Sequence, residues 1–206
     1  MRMFEGVTII CGEDPEQAHA IRAGLEEMRL RVFVYHAVQK PHLVDFFAGK
    51  VPCSDYIVVM GACGHGKTEG EDWSLEEMGL SLPCVENRDG KFDWALTEFV
   101  LTAADVPERV HLPGKTLICS ACGSGRKPFA EAFLKAGCRT YIGSNGETDQ
   151  NAVNLFTLAF FYHLLTNERD PEADCTEEEA FQRAAGLDTW CRWGTHRFRY
   201  YTRAGA

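Results

Sequence analysis

Two short glycine-bounded stretches carry residue types that together could break an acyl bond. One is His65-Gly66, inside Gly-Ala-Cys-Gly-His-Gly; the other is Ala121-Cys122, followed by Gly123 and Gly125. A thiol becomes a strong nucleophile once it loses its proton, and a neighbouring imidazole takes that proton. Attack on a carbonyl creates an oxyanion, which needs N–H donors. The amides of Gly66 and Cys122 are natural donors, because glycine lets the backbone approach closely. Gly123 and Gly125 leave the thiol uncrowded and are expected to open a helix, whose N-terminus favours a thiolate. Taken singly, a histidine after a strand is usually a polar loop residue and a cysteine there is usually packed and inert. The pair matters only if its members meet in space.

The elements around them say where they would stand. Val7–Cys11, Arg31–Val38, Tyr56–Met60, Lys115–Ser120 and Arg139–Gly143 are short apolar runs that read as strands. Between and after them lie helical spacings: Asp14–Arg29, Pro41–Ala48, Phe92–Asp105, Lys127–Ala136 closed by Gly137, and the apolar Asp149–Leu165. Asp149 suits an N-cap. Alternation of this sort implies a mostly parallel sheet of about six strands with helices on both faces, an α/β three-layer domain. Sites in such sheets gather at the carboxyl ends of the strands, where both glycine-rich turns fall. Residues 67–92 read as a loop or hairpin insertion. After the polar linker 167–175, residues 167–206 hold a helix at Thr176–Leu187 and an edge strand at Thr195–Arg203.

Two rival chemistries share these residues. Gly61–Thr68 fits G-x-x-x-x-G-K-[ST], with Lys67 on phosphates and Thr68 on Mg²⁺. Glu69-Gly70-Glu71-Asp72 follows, where a phosphate-binding loop should open a helix and avoid acids. Cys119-x-x-Cys122 could be a redox or metal pair, but no second such pair completes a zinc site. No metal or other cofactor is expected. The net charge of −9 argues against a nucleic-acid partner. No stretch approaches the ~20 apolar residues of a membrane span. The N-terminus lacks a signal-peptide core, and the nine cysteines are odd in number and often inside apolar runs. They read as reduced thiols, and the expected compartment is the cytoplasm.

An apolar strand ending in His-Gly and a later one ending in Ala-Cys resembles the clan of caspases, gingipains and separases. The nearest resemblance is to the CHAT peptidases of bacteria. YIVVMGACGHG resembles their His block, and KTLICSACGSGRKPFAEAFLKAGCRTYIGSNGETDQNAVNLFTLAFFYHLL their Cys block; TWCRWGTHRFRYYTRAG loosely resembles their closing strand. The resemblance implies a caspase-like fold and a cysteine endopeptidase with His65 as base and Cys122 as nucleophile. It further implies the Gly66 and Cys122 amides as oxyanion donors, and a protein or peptide substrate. A separate activating protein is expected, since the chain has no room for a sensor domain. A catalytically inactive binding module with the same fold is the other reading. There are departures. Gly123-Ser124-Gly125 replaces an acid followed by Thr-Gly, and Asn145-Gly146 replaces Leu-Trp beside the expected substrate pocket. Ser120 stands where the caspase form has glutamine, and it brings no charge to select a basic residue before the scissile bond.

Overall fold

The computed structural model describes residues 6–12, 15–36, 39–60, 63–65, 79–88, 91–147, 149–169, 175–187 and 194–203. Their centre is a six-stranded sheet in the order β2-β1-β3-β7-β8-β9. Its strands are β1 (Val7–Cys11), β2 (Val32–His36), β3 (Tyr56–Met60), β7 (Thr116–Cys119), β8 (Thr140–Ser144) and β9 (Phe198–Thr202). The first five run parallel, and β9 closes the edge antiparallel to β8. In β1, β3, β7 and β8 every residue is buried. That is what continuous apolar runs do when both faces of a parallel sheet are covered.

Alternate residues of each strand feed two cores. Ile10, Ile57, Val59, Leu117, Cys119 and Tyr141 point to one side, and Ile9, Val58, Met60, Ile118 and Ile142 to the other. On the second side lie α1 (Pro15–Glu27), α5 (Gln150–Arg169) and α6 (Glu177–Ala185), through Ile21, Leu25, Phe156, Phe160 and Phe181 among others. On the first side lie α2 (Lys40–Phe47) and α4 (Lys127–Lys135), through Phe46, Phe47, Phe129 and Phe133. The result is the three-layer α/β architecture that the alternating pattern implies.

A second, three-stranded antiparallel sheet shares the first side. It is made of β4 (Cys63–His65), β5 (Gly79–Arg88) and β6 (Lys91–Thr102). The helical reading of Phe92–Asp105 is therefore wrong: most of it is a strand, and only Val106–Arg109 beyond it forms a short helix, α3. The reason is visible at its end, where Phe99 and Leu101 are buried and Val100 is exposed, a period of two. Phe99 stacks on Phe47 of α2 with centroids 5.8 Å apart and planes 7° apart. Pro83 obscured the partner strand. It sits in β5 beyond the residues that pair with β4, so its missing N–H leaves no ladder bond unmade on that edge.

At the opposite end of the main sheet, α6 is locked by charge and caps. Thr176 and Glu179 form a reciprocal capping box. Glu177 accepts from Thr116 Oγ1 at 2.7 Å and Thr140 Oγ1 at 3.3 Å, and Arg139 donates to Thr116 Oγ1 at 2.8 Å. This binds α6 to the starts of β7 and β8. No helix of the described residues is long and apolar enough to cross a membrane.

Phe99→Ala should cost about 3–5 kcal/mol, because it removes a buried aromatic ring that has a stacked partner. Chemical denaturation measures the loss, and hydrogen exchange should show the amides of Leu80, Leu82 and Leu101 losing protection most.

Candidate active site

The strands β3 and β7 are neighbours, with Val59 opposite Cys119. The chain leaves β7 at Ser120, whose N–H and hydroxyl both donate to Val59 O at 3.0 Å. Ala121 is buried and Cys122 half-buried. Cys122 and Gly123 are the central residues of a turn closed by Ser124 N–H to Ala121 O at 3.1 Å. Gly123 has φ +72°, the positive value that favours glycine at the third place of such a turn. A second turn follows, with Arg126 N–H on Gly123 O at 3.3 Å. The helix α4 begins only at Lys127. The helix expected at Lys127–Ala136 is therefore present, but two turns separate it from the thiol, so Cys122 does not lie in its first helical turn.

This turn is fastened to β8 and to the loop after it. Gly123 N–H donates to Gly146 O at 3.2 Å and Gly125 N–H to Ser144 O at 2.6 Å. Ser124 Oγ donates to Cys119 O at 3.1 Å and accepts from Ser144 N–H at 3.3 Å, so one hydroxyl bridges β7 and β8. Two phenols reach in from the neighbouring strands. Tyr141 donates to Ser124 O at 3.0 Å and Tyr201 to Gly125 O at 2.7 Å. The Gly125 backbone lies directly on Gly143: a Cβ at 125 would be driven into the Gly143 carbonyl, and one at 143 would come 2.8 Å from Gly125 N. Glycine is required at both positions by space alone.

The amides of the turn then have a simple accounting. Those of Ser120, Gly123, Ser124, Gly125 and Arg126 donate to the backbone carbonyls named above. The Ala121 backbone beside the Cys119 thiol offsets a little of the rise that burial imposes on it. The Cys122 N–H makes no hydrogen bond among the described residues.

His65 comes five residues after the end of β3. It ends β4, pairs with Gly79 and belongs to the antiparallel sheet rather than to β3 itself. Gly66, Lys67 and Thr68 lie outside the described residues. Of the Gly61–Thr68 octet, Cys63–His65 are extended and paired with β5. Asn145, half-buried, adjoins Gly146 and donates from N–H to Arg197 O at 2.7 Å; Arg197 in turn donates to Glu147 O at 2.8 Å. Asn145 therefore borders the Cys122 turn, while the hydroxyl of Ser120 is turned onto the β3 backbone. Asp149 is the N-cap expected of it: its Oδ1 accepts from Ala152 N–H at 2.7 Å.

The other thiols differ from Cys122. Cys119 is fully buried on the α4 side, and burial pushes its pKa up. Burial likewise pushes Cys138 up to about 12. Both stay protonated at neutral pH. Among the described residues no group of three or more His, Cys, Asp or Glu side chains could hold a metal ion. Reasoning from sequence missed Ser124, Tyr141, Tyr201 and Gly143. The spacing of Gly123, Ser124 and Gly125 hinted at a tight turn, but no local signal ties the two tyrosines to it.

No protein-family model matches the chain, and no curated protein matches it. Solved structures do. Two crystal structures of the Saccharomyces cerevisiae separase–securin complex, at 3.0 and 2.6 Å resolution, match with TM-scores of 0.53 and 0.52. The identity is 9% in each, over 97% of this chain. The fold is caspase-like. The chain spans 12% of the length of the chain that it matches in those complexes. At such low identity the likeness is one of fold alone.

Gly125→Ala should destabilise the protein by about 1–3 kcal/mol through overpacking against Gly143, read from the shift in its denaturation midpoint. Native alkylation at pH 8, followed by peptide mass spectrometry, should modify Cys122 while Cys11, Cys119, Cys138 and Cys175 react only after unfolding.

Proposed function

We propose that this chain is a cysteine endopeptidase, with Cys122 as nucleophile and His65 as base, acting on a protein or peptide substrate. The observation that carries the reading is the turn after β7. A half-exposed thiol stands beside an amide left uncommitted among the described residues, while the amides of Gly123, Ser124, Gly125 and Arg126 are engaged. An uncommitted N–H next to a nucleophile suits an oxyanion donor. The caspase-like fold and the bacterial CHAT-like Cys block add to this.

In this reading the imidazole of His65 takes the Cys122 proton, and the thiolate attacks the scissile carbonyl carbon. The carbonyl oxygen becomes an oxyanion held by the Cys122 and Gly66 amides. Collapse of the tetrahedral intermediate breaks the C–N bond, and the imidazolium gives its proton to the departing amine. Water, deprotonated by His65, then attacks the thioester. It releases the carboxylic acid and restores the thiol. Asn145 lies where a substrate side chain would rest, with Ser120 at the pocket's base. The setting is cytoplasmic. The solved structures hold separase in complex with securin, which is in keeping with a separate protein partner for this chain. A nucleotide-binding role is disfavoured, because the centre of the Gly61–Thr68 octet is paired as a strand instead of curling its amides around a phosphate.

A carbonyl-directed acylating probe should label Cys122 selectively among the nine cysteines. His65→Ala should slow that labelling about 10²–10⁴-fold, the usual weight of a general base. Labelling spread evenly over all the cysteines would sink the proposal. Selective labelling with no cleavage across a peptide library would favour the inactive binding module.

A further inference from the structure

The reaction needs more of the chain than its thiol, its base and the amides beside them. Ser124 and Gly125 are the residues on which the Cys122 turn rests, and their carbonyls are taken by two phenols from different strands. Those phenols form a pair. Tyr141 of β8 and Tyr201 of β9 are directly opposite each other in the antiparallel ladder, so they rise on the same face. Each takes one of two successive carbonyls.

We infer that Tyr141 and Tyr201 are positioning residues that aim the Cys122 amide at the developing oxyanion. The inference rests on the peptidase reading. A peptide unit is rigid and planar, so fixing the direction of its carbonyl also fixes its N–H. The clamp holds the Ser124–Gly125 and Gly125–Arg126 peptides. The first of these also donates its N–H to Ser144 O, so it is held at both ends. Ser124 is further anchored through its hydroxyl to β7 and β8. The anchored Ser124 also donates its N–H to Ala121 O at 3.1 Å, the carbonyl of the peptide that carries the Cys122 N–H, so the direction of that N–H is set from below. Rotation of the amide by a few tens of degrees would cost the oxyanion contact, since hydrogen bonds weaken steeply off line.

The two phenols suit this duty. Tyr141 is fully buried, stacked on Phe133 with centroids 5.1 Å apart and edge-on to Phe129. Tyr201 is half-buried, and Arg199 and Glu131 are the charged groups facing it. Burial raises both phenols above their ordinary range. Each therefore remains a proton donor at any pH where a thiolate could act. The link from Tyr201 also makes β9, distant in sequence, part of the site.

The test compares two reagents on the purified full chain. An activated acyl ester needs the oxyanion to be held; iodoacetamide alkylates the thiol with no oxyanion. In Tyr201→Phe and Tyr141→Phe, acylation of Cys122 should slow about five-fold each, the weight of one hydrogen bond. Alkylation should stay within about two-fold, as alkylation does not use the oxyanion contact. Tyr35→Phe is the control, because it removes a comparable phenol hydrogen bond to Pro52 O on the far edge strand, 3.1 Å long. It should leave both rates unchanged. Equal slowing of both reactions, or unchanged acylation in the double variant, overturns the clamp while the peptidase reading stands. A wild-type chain whose Cys122 takes no acyl group overturns both, and that outcome is recognised before any variant is made.

Discussion

Everything near Cys122 depends on one backbone-to-backbone contact. Gly125 lies against Gly143 so closely that neither can carry a side-chain carbon. The contact brings the turn after β7 within hydrogen-bonding reach of β8. The Gly125 amide then meets Ser144 O, and the Ser124 hydroxyl can bridge the two strands. With a larger residue at either position the turn would have to lift away from the sheet, and those bonds would lengthen together. The strand pairing supplies the other half of the constraint. Parallel strands share no tight turn, so each connection crosses a face and returns. The carboxyl end of β7 is thereby left open for a functional turn.

The C-terminal part of the chain acts on the same place from the other side. The short turn at Thr195–Arg197 precedes β9. It pins Asn145 through Arg197 O, and the Arg197 guanidinium holds Glu147. Gly146, between them, receives the Gly123 amide. Behind this, Phe198 stacks on Phe156 of α5 with centroids 4.0 Å apart, which fixes where β9 begins. The Cys122 turn is thus held by four segments remote in sequence: β3, β8, the loop after β8, and β9. They restrict the directions available to one thiol and one amide, and that restriction separates this half-exposed cysteine from the buried, strongly protonated Cys119 and Cys138.

The hairpin of β5 and β6 shows where local reading fails. Residues 92–105 have spacing that a helix could use, and β5 carries a proline and opens on a glycine, which suggest a loop. Which pattern wins is decided by a partner. Once β5 lies alongside, alternate residues of β6 face the first core, and Phe99 finds the ring of Phe47. Local propensity is a weak guide against a long antiparallel ladder with a buried face. The short strand that ends at His65 is another product of this partner: it follows β3 closely in sequence but pairs with β5.

The sequence by itself determined the layered α/β architecture, because buried parallel strands must be apolar throughout and the helices between them must show one apolar face. It also marked Cys122 within a glycine-rich turn at a strand's carboxyl end, since only small residues permit such a turn. The tertiary structure alone decided which amides of that turn are engaged and which phenols grip its carbonyls. Those outcomes rest on contacts such as Tyr201 to Gly125, between residues far apart along the chain. No periodicity or motif records such a meeting, because it depends on where separate strands come to lie in the same sheet.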